Sequence, residues 1–208
     1  MTGRRPLAVR GTQWAGAAAR WLTARGVAPD AISKASLGFA VAACALFWLA
    51  GLTAGWAAVP PLLLGAACVQ GRLLCNLFDG MVAVEGGRGG PEGPFWNEVP
   101  DRPADVAILA GAGLACGAPV LGLACGAAAL GTAYMRAMSV ALGHGEDFAG
   151  PFAKPQRMAA VTLGALALAV ETVATGTVWS MTAILWVVLA GTLWTCVRRG
   201  ARLLARMT

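Results

Sequence analysis

Residues 76–105 read NLFDGMVAVEGGRGGPEGPFWNEVPDRPAD, and this stretch gathers most of the acidic chemistry of an otherwise apolar chain. Asn76, Asp79, Gly80 and Ala83 follow one another at i, i+3, i+4 and i+7, the spacing of a single helix face. Asn97, Asp101 and Asp105 repeat at i, i+4 and i+8, again one face where the helix is continuous. A Gly-rich connection from Glu85 to Gly93 joins the two segments. Two apolar helices folded back on each other would bring three carboxylates and two amides together at the end of a bundle. Carboxylate and amide oxygens are hard ligands that suit Mg²⁺ or Mn²⁺. The bland alternative is a polar helix end facing water. Three acids in register beside membrane spans weigh against it, because ionisable groups there are functional candidates by default. Asp79, Asp101, Asp105, Asn76 and Asn97 are therefore the expected metal ligands.

The elements that must position these residues follow from composition. The chain has 208 residues, of which 58% are hydrophobic and only 12% charged, with a mean hydropathy of +0.66. That is far too apolar for a soluble domain of this size, and it predicts an all-α polytopic membrane protein. Spans need about 20 apolar residues. Six are expected, near 31–53, 56–84, 95–116, 119–142, 156–175 and 178–197, in a membrane domain covering 28–208. Residues 1–27 carry Arg4, Arg5, Arg10, Arg20 and Arg25 and no acid. With Trp14, Ala17, Ala18, Trp21 and Leu22 at helical spacing, they predict a basic amphipathic helix on the membrane surface. No cleavable signal pattern is expected, since the first apolar run follows a long basic segment. The six cysteines form no CxxC pair and read as small core residues. Pro100 and Pro103 complicate the third span. Either its helix starts near Val99, leaving Asn97 in the preceding turn, or it starts at Pro94 and bends.

The net charge of +6 is laid out as Arg residues flanking apolar spans, which speaks for membrane orientation and against nucleic acid. With the N-terminus in the cytoplasm, six spans put the connections at 85–94 and 143–155, and the C-terminus, on that same side. Nearly every charge falls there. Glu171, towards the other end, has no evident role. Arg72 lies one turn before Asn76 and needs an anion, either a cluster acid or a phosphate. Arg136, Lys154 and Arg157 fall at the cytoplasmic ends of the fourth and fifth spans. Gly122 and Gly126 form a GxxxG pair that permits close helix contact. His144, the only histidine, reads as a solvated residue of a flexible loop. Gly86–Gly90 lacks the ending of a P-loop and reads as a mobile hairpin.

The stretch resembles the signature of the CDP-alcohol phosphotransferase family, D-x2-D-G-x2-A-R followed by x8-G-x3-D-x3-D. The matching positions are Asn76, Asp79, Gly80, Ala83, Val84, Gly93, Asn97 and Asp101, with every spacing kept. Asn stands at the first and third acids and Val at the Arg, and Asp105 is an extra acid one turn on. The resemblance implies a membrane transferase that moves a phosphatidyl or other substituted phosphate group from a CDP-linked lipid to an alcohol, with release of CMP, in phospholipid biosynthesis. CDP-diacylglycerol is the expected donor. It further implies one or two divalent ions, with Asp101 and Asp105 as the catalytic acids. Gly80, Ala83, Asn76 and Arg72 would lie against the nucleotide. Arg136, Lys154 and Arg157 would lie around an acceptor phosphate. A homodimer in the inner membrane, with a cytoplasmic active site, is the expected setting. Two other readings stand beside it: a divalent-cation transporter, and an inactive relative that kept the fold.

Overall fold

The computed structural model describes residues 12–85 and 92–207, apart from the side chains of Glu85, Pro94 and Asn97. The described residues form helices and their connections. These are α1 (Gln13–Ala24), α2 (Pro29–Gly51), a 3₁₀ turn (Gly55–Ala58), α3 (Val59–Glu85), α4 (Gly93–Glu98), α5 (Asp101–Ala115), α6 (Pro119–Ala141), α7 (Lys154–Ala174) and α8 (Trp179–Met207). Prolines set several starts. Pro29, Pro119 and Pro155 sit in the first turns of α2, α6 and α7, where a missing N–H costs nothing. Gly117, at φ +69°, ends the turn after α5 just before α6 begins.

Among the described residues, five helical stretches are long and apolar enough to cross a membrane: Pro29–Gly51, Gly55–Val84, Pro119–Ala141, Lys154–Ala174 and Trp179–Met207. The third of the six expected spans differs. The chain breaks at Val99–Pro100, so α4 and α5 are separate helices and α5 has only 15 residues. At 1.5 Å per residue it is about 22 Å long, short of a ~30 Å hydrocarbon core. Of the two alternatives for this segment, the later start is the one found. Proline at 100 serves as the N-cap of α5, and Asn97 is left behind on α4.

The long helices and α5 close into a ring. α2 packs on α3 and α5, α5 on α6, α6 on α8, α8 on α7, and α7 back on α3. Its core holds Phe47, Leu62, Val69, Ile108, Leu109, Met158, Val161, Leu168, Met181, Leu185 and Val188, all nearly solvent-free. Lipid tails are as apolar as leucine, so close backbone approach must help hold such a bundle together. A Cβ on Gly122 would stand 2.5 Å from the Leu109 carbonyl oxygen, and one on Gly111 would stand 2.7 Å from the Cys44 Cα. The GxxxG pair therefore faces α5: Gly122 meets Gly113, and Gly126 meets Val106. That register has a consequence. α6 continues 15 residues past Gly126, whereas α5 begins only 5 residues before Val106. For near-parallel axes, the start of α5 is recessed about 15 Å below the end of α6.

Large apolar side chains cover the outside. Trp56 and Trp179 are exposed at one end of the bundle, and Trp14 and Trp21 on α1 at the other, as expected for aromatics at two membrane–water interfaces. α1 packs on α3 through Ala15 and Ala19. Arg4, Arg5 and Arg10 of the basic N-terminal segment lie outside the described residues. All six cysteines are free. Glu171 has a structural role, since its carboxylate accepts from Thr177 Oγ1 (2.5 Å) and from the backbone N–H groups of Trp179 (2.7 Å) and Ser180 (2.8 Å). It caps the start of α8 from the end of α7, supplying acceptors that the first turn of a helix lacks. The 143–153 connection, expected to be flexible, is pinned. Ser139 Oγ donates to the Gly145 carbonyl (2.8 Å), Phe152 N–H to Thr195 Oγ1 (3.1 Å), and Arg199 Nε to the Ala149 carbonyl (2.9 Å).

Candidate active site

α3 brings Arg72, Asn76, Asp79, Gly80 and Ala83 to one end of the bundle, because these residues recur every three or four positions along it. α2 meets them with the matching spacing. Ser33 Oγ donates to Asp79 Oδ2 (2.9 Å), and Ser36 Oγ donates to Asn76 Oδ1 (2.9 Å). The second carboxylate oxygen of Asp79 accepts the Gly80 N–H at 2.5 Å. Neither serine is marked out by the family motif. The signal that could have found them is their own i, i+3 spacing, which mirrors Asn76 and Asp79 on the facing helix.

α5 supplies the other half. Asp101, in its first turn, accepts from Asn76 Nδ2 (2.8 Å) and Arg72 Nη2 (3.1 Å) on one oxygen, and from the Lys154 ammonium on the other. One turn deeper, Asp105 is 4% exposed. Its Oδ1 lies 2.7 Å from Arg72 Nη2, and its Oδ2 accepts from Arg157 Nη2 at 2.8 Å. Lys154 and Arg157 both come from the first turn of α7. Arg157 is held further by the Phe152 carbonyl (3.0 Å) and Thr132 Oγ1 (3.4 Å). Arg72 is entirely buried, and its Nε and Nη1 have no hydrogen-bond partner, nor does Arg157 Nε.

The expected site residues thus separate into groups. Asn76 and Asp101 touch, with Arg72, Lys154, Asp105 and Arg157 continuing the same network. Asp79 sits beside Asn76 on α3 but bonds to Ser33 and to its own helix. Gly80 and Ala83 lie on the same face of α3, partly exposed. Asn97 is on α4, and its side chain lies outside the described residues. Arg136, expected beside Lys154 and Arg157, lies on α6 one turn beyond Thr132, which Arg157 touches, and its ion pairs are with other residues. It pairs with both carboxylate oxygens of Glu98, with Nη2 2.6 Å from Oε1, and it faces Glu146 at 3.8 Å and the Phe148 ring. Arg102 shares Glu98 with it. A common position at span ends groups these three cations in the sequence, but spacing along the chain does not say which acid each one meets.

A divalent ion would need free oxygen lone pairs turned to one point. Most of the oxygens here already face a donor, and Asp105 Oδ1 is in an ion pair without a hydrogen bond. Asp101 and Asp105 face three cations, Asn76 Oδ1 accepts from Ser36, and both Asp79 oxygens accept hydrogen bonds. Among the described residues, no three of His, Cys, Asp and Glu come together as ligands for one ion. Charge gives the same answer: the two carboxylates of Asp101 and Asp105 already face the three cations Arg72, Lys154 and Arg157. The donor set does not fit the two-ion centre that four acids would make. What the arrangement offers instead is buried N–H capacity that suits an anion.

No protein-family model and no curated protein matches the sequence. Solved structures do match. The phosphatidylinositol phosphate synthase of Mycobacterium tuberculosis with CDP-DAG bound superposes with a TM-score of 0.74 at 23% identity, covering 92% of this chain and 94% of that one. The same enzyme in complex with manganese and citrate gives 0.74 at 23% identity, with 91% and 88% covered. Its apo form gives 0.70 at 24% identity, with 88% and 92% covered. The chain therefore has the fold of that membrane synthase over nearly its whole length, with a recessed polar cluster at one end of the bundle.

Proposed function

We propose that this chain is a membrane transferase of the CDP-alcohol phosphotransferase type, acting on a CDP-activated lipid in phospholipid synthesis. The observation that carries this reading is the meeting of Asn76 on α3 with Asp101 on α5 at 2.8 Å, inside a fold matched end to end by a synthase solved with CDP-DAG. The motif spacing names residues of α3 and α5, and these two helices meet at Asn76 and Asp101.

The chemistry balances with this chain's own groups. An acceptor hydroxyl oxygen forms a bond to the β-phosphorus of the CDP-lipid, and the bond from that phosphorus to the bridging oxygen breaks. CMP leaves with the electron pair, and the hydroxyl proton passes to a carboxylate. Asp101 is the proposed base: it stands at the start of α5, more exposed than Asp105, where an acceptor from the aqueous side would arrive. Arg72, Lys154 and Arg157 supply positive charge for the diphosphate and the departing phosphate. Gly80 and Ala83 leave the nearby face of α3 low enough for a nucleotide to lie against it. Arg136 shares Glu98 with Arg102, at the rim of the site, where an acceptor from the aqueous side would pass it. In this reading the site end of the bundle faces the cytoplasm.

The test is CMP release. Purified protein supplied with CDP-diacylglycerol and a panel of alcohols should release CMP with at least one of them, and Asp101→Asn should lower the rate by about 10²-fold or more, the range of a lost general base. A second reading has an observation in its favour: the Asn residues at two acid positions suit a non-catalytic relative that binds the CDP-lipid. Binding of CDP-diacylglycerol with no CMP release from any alcohol would select that reading.

A further inference from the structure

We infer that Lys154, backed by Arg72 and Arg157, stands in place of a divalent cation, so that this chain holds its diphosphate ligand without Mg²⁺ or Mn²⁺. The inference rests on the proposed CDP-lipid reading for the ligand, but its core, the exclusion of the ion, rests on the cluster alone.

Three observations carry it. The first is position. The Lys154 ammonium sits on the Asp101 oxygen opposite the one taken by Arg72 and Asn76, so a metal bound to Asp101 would have to displace a cation already there. The second is charge. Asp101 and Asp105 carry two negative charges and already meet three cations, Arg72, Lys154 and Arg157, while Asp79 is held by Ser33 and the Gly80 N–H. A divalent ion added to this group would leave a net positive charge in a place with little water, whereas a phosphate brings the opposite sign. The third is hydrogen-bonding capacity. Arg72 Nε and Nη1 and Arg157 Nε are buried donors with no partner. A metal ion offers no acceptor to such groups, and a diphosphate offers several. The sequence agrees at the motif itself. Asn76 keeps the shape of an acid while giving up its charge, and uses its N–H to hold Asp101, an option closed to a carboxylate.

Binding of Mn²⁺ to the detergent-purified full chain, followed by electron paramagnetic resonance of the free ion, tests the exclusion directly. The titration is run with and without CDP. The expected result is no ion bound at sub-millimolar concentration in either arm. One Mn²⁺ per chain at micromolar concentration in either arm, abolished by Asp79→Asn or Asp101→Asn, overturns the inference. The role of Lys154 is tested by Asn76→Asp combined with Lys154→Met or, should that chain not fold, Lys154→Gln. Either double variant should bind Mn²⁺ at least tenfold more tightly than the parent. No gain in a folded double variant shows that Lys154 is not the group that keeps the ion out, and overturns its assignment. CDP-diacylglycerol binding to the parent should change less than twofold on adding EDTA, and a loss of tenfold or more overturns the inference. Absence of CDP-diacylglycerol binding with and without metal rejects the transferase reading instead, and leaves the Mn²⁺ count to decide the exclusion.

Discussion

Arg72 is the residue on which both halves of the cluster turn. It is fully buried and touches Asp101 and Asp105 with a single nitrogen, so it fixes the first turn of α5 against the middle of α3. Each acid keeps another cation when Arg72 is removed: Lys154 for Asp101 and Arg157 for Asp105. Arg72→Met should therefore cost less than a buried pair stripped to one bare charge, which is typically about 3–5 kcal/mol. A loss of about 1–3 kcal/mol is expected, the range for a buried group left short of a partner. Adding Asp105→Asn to Arg72→Met should recover part of that loss, because the second change removes the charge that the first one left under-compensated. Thermal unfolding in detergent reads both. A double variant that loses the full sum of the two single changes would show that Arg72 and Asp105 are not coupled. The helix faces were legible from spacing in part: Asn76 with Asp79, and Asp101 with Asp105, each share a face, whereas Asn97 falls on the separate α4 and Asp79 bonds to Ser33. The partners on other helices were not legible. Ser33 and Ser36 come from a helix 46 and 40 positions earlier than their partners, and Lys154 and Arg157 from one about 50 positions later. Helical periodicity carries no information over that range.

At the scale of elements, α5 is the piece that shapes the site, because its late start leaves Asp101 below the rim of α6. Its depth depends on how closely it lies against α6. Gly122 allows that contact, and a side chain there has no room, with the Leu109 carbonyl 2.5 Å from where a Cβ would stand. Gly122→Leu should push α5 off α6 and cost about 1–3 kcal/mol or more, as overpacking does. The change should also reduce CDP-lipid binding, although position 122 is remote from Asp101. Gly38→Ala provides the contrast. It is also a mid-helix glycine, but nothing lies within 4 Å of its added Cβ, so it should stabilise by about 0.5–1 kcal/mol. Equal losses from both substitutions would mean that helix contact is not what Gly122 provides. The GxxxG pair was readable in the sequence, but its partner helix was not. The proline break was readable as one of two alternatives. The choice between them depended on the fit of α5 into the ring, which local rules for proline do not contain.

The whole molecule raises the question of how many times the chain crosses the membrane. Five helical stretches have the length and hydropathy to do so, and five crossings would put the two chain ends on opposite faces. The ring argues for six. α5 closes it between α2 and α6, and a helix that completes a bundle must run from one end towards the other. The turn between α5 and α6, at Cys116–Ala118, carries no charge, as do the turns around residues 54 and 177. The arginines of α8 lie at its far end, with Arg202 facing Asp147 at 3.6 Å in the α6–α7 connection. That pairing places the end of α8 on the same side as the polar cluster. Asymmetry of basic residues sets orientation in membranes, so this side should be cytoplasmic. Reporter fusions at both chain ends, with labelling of single cysteines placed near residues 54, 117, 147 and 177 in a cysteine-free background, would read the topology. Both ends and position 147 should report the cytoplasm, and positions 54, 117 and 177 the other face. Ends on opposite faces would mean that α5 enters and leaves on one side.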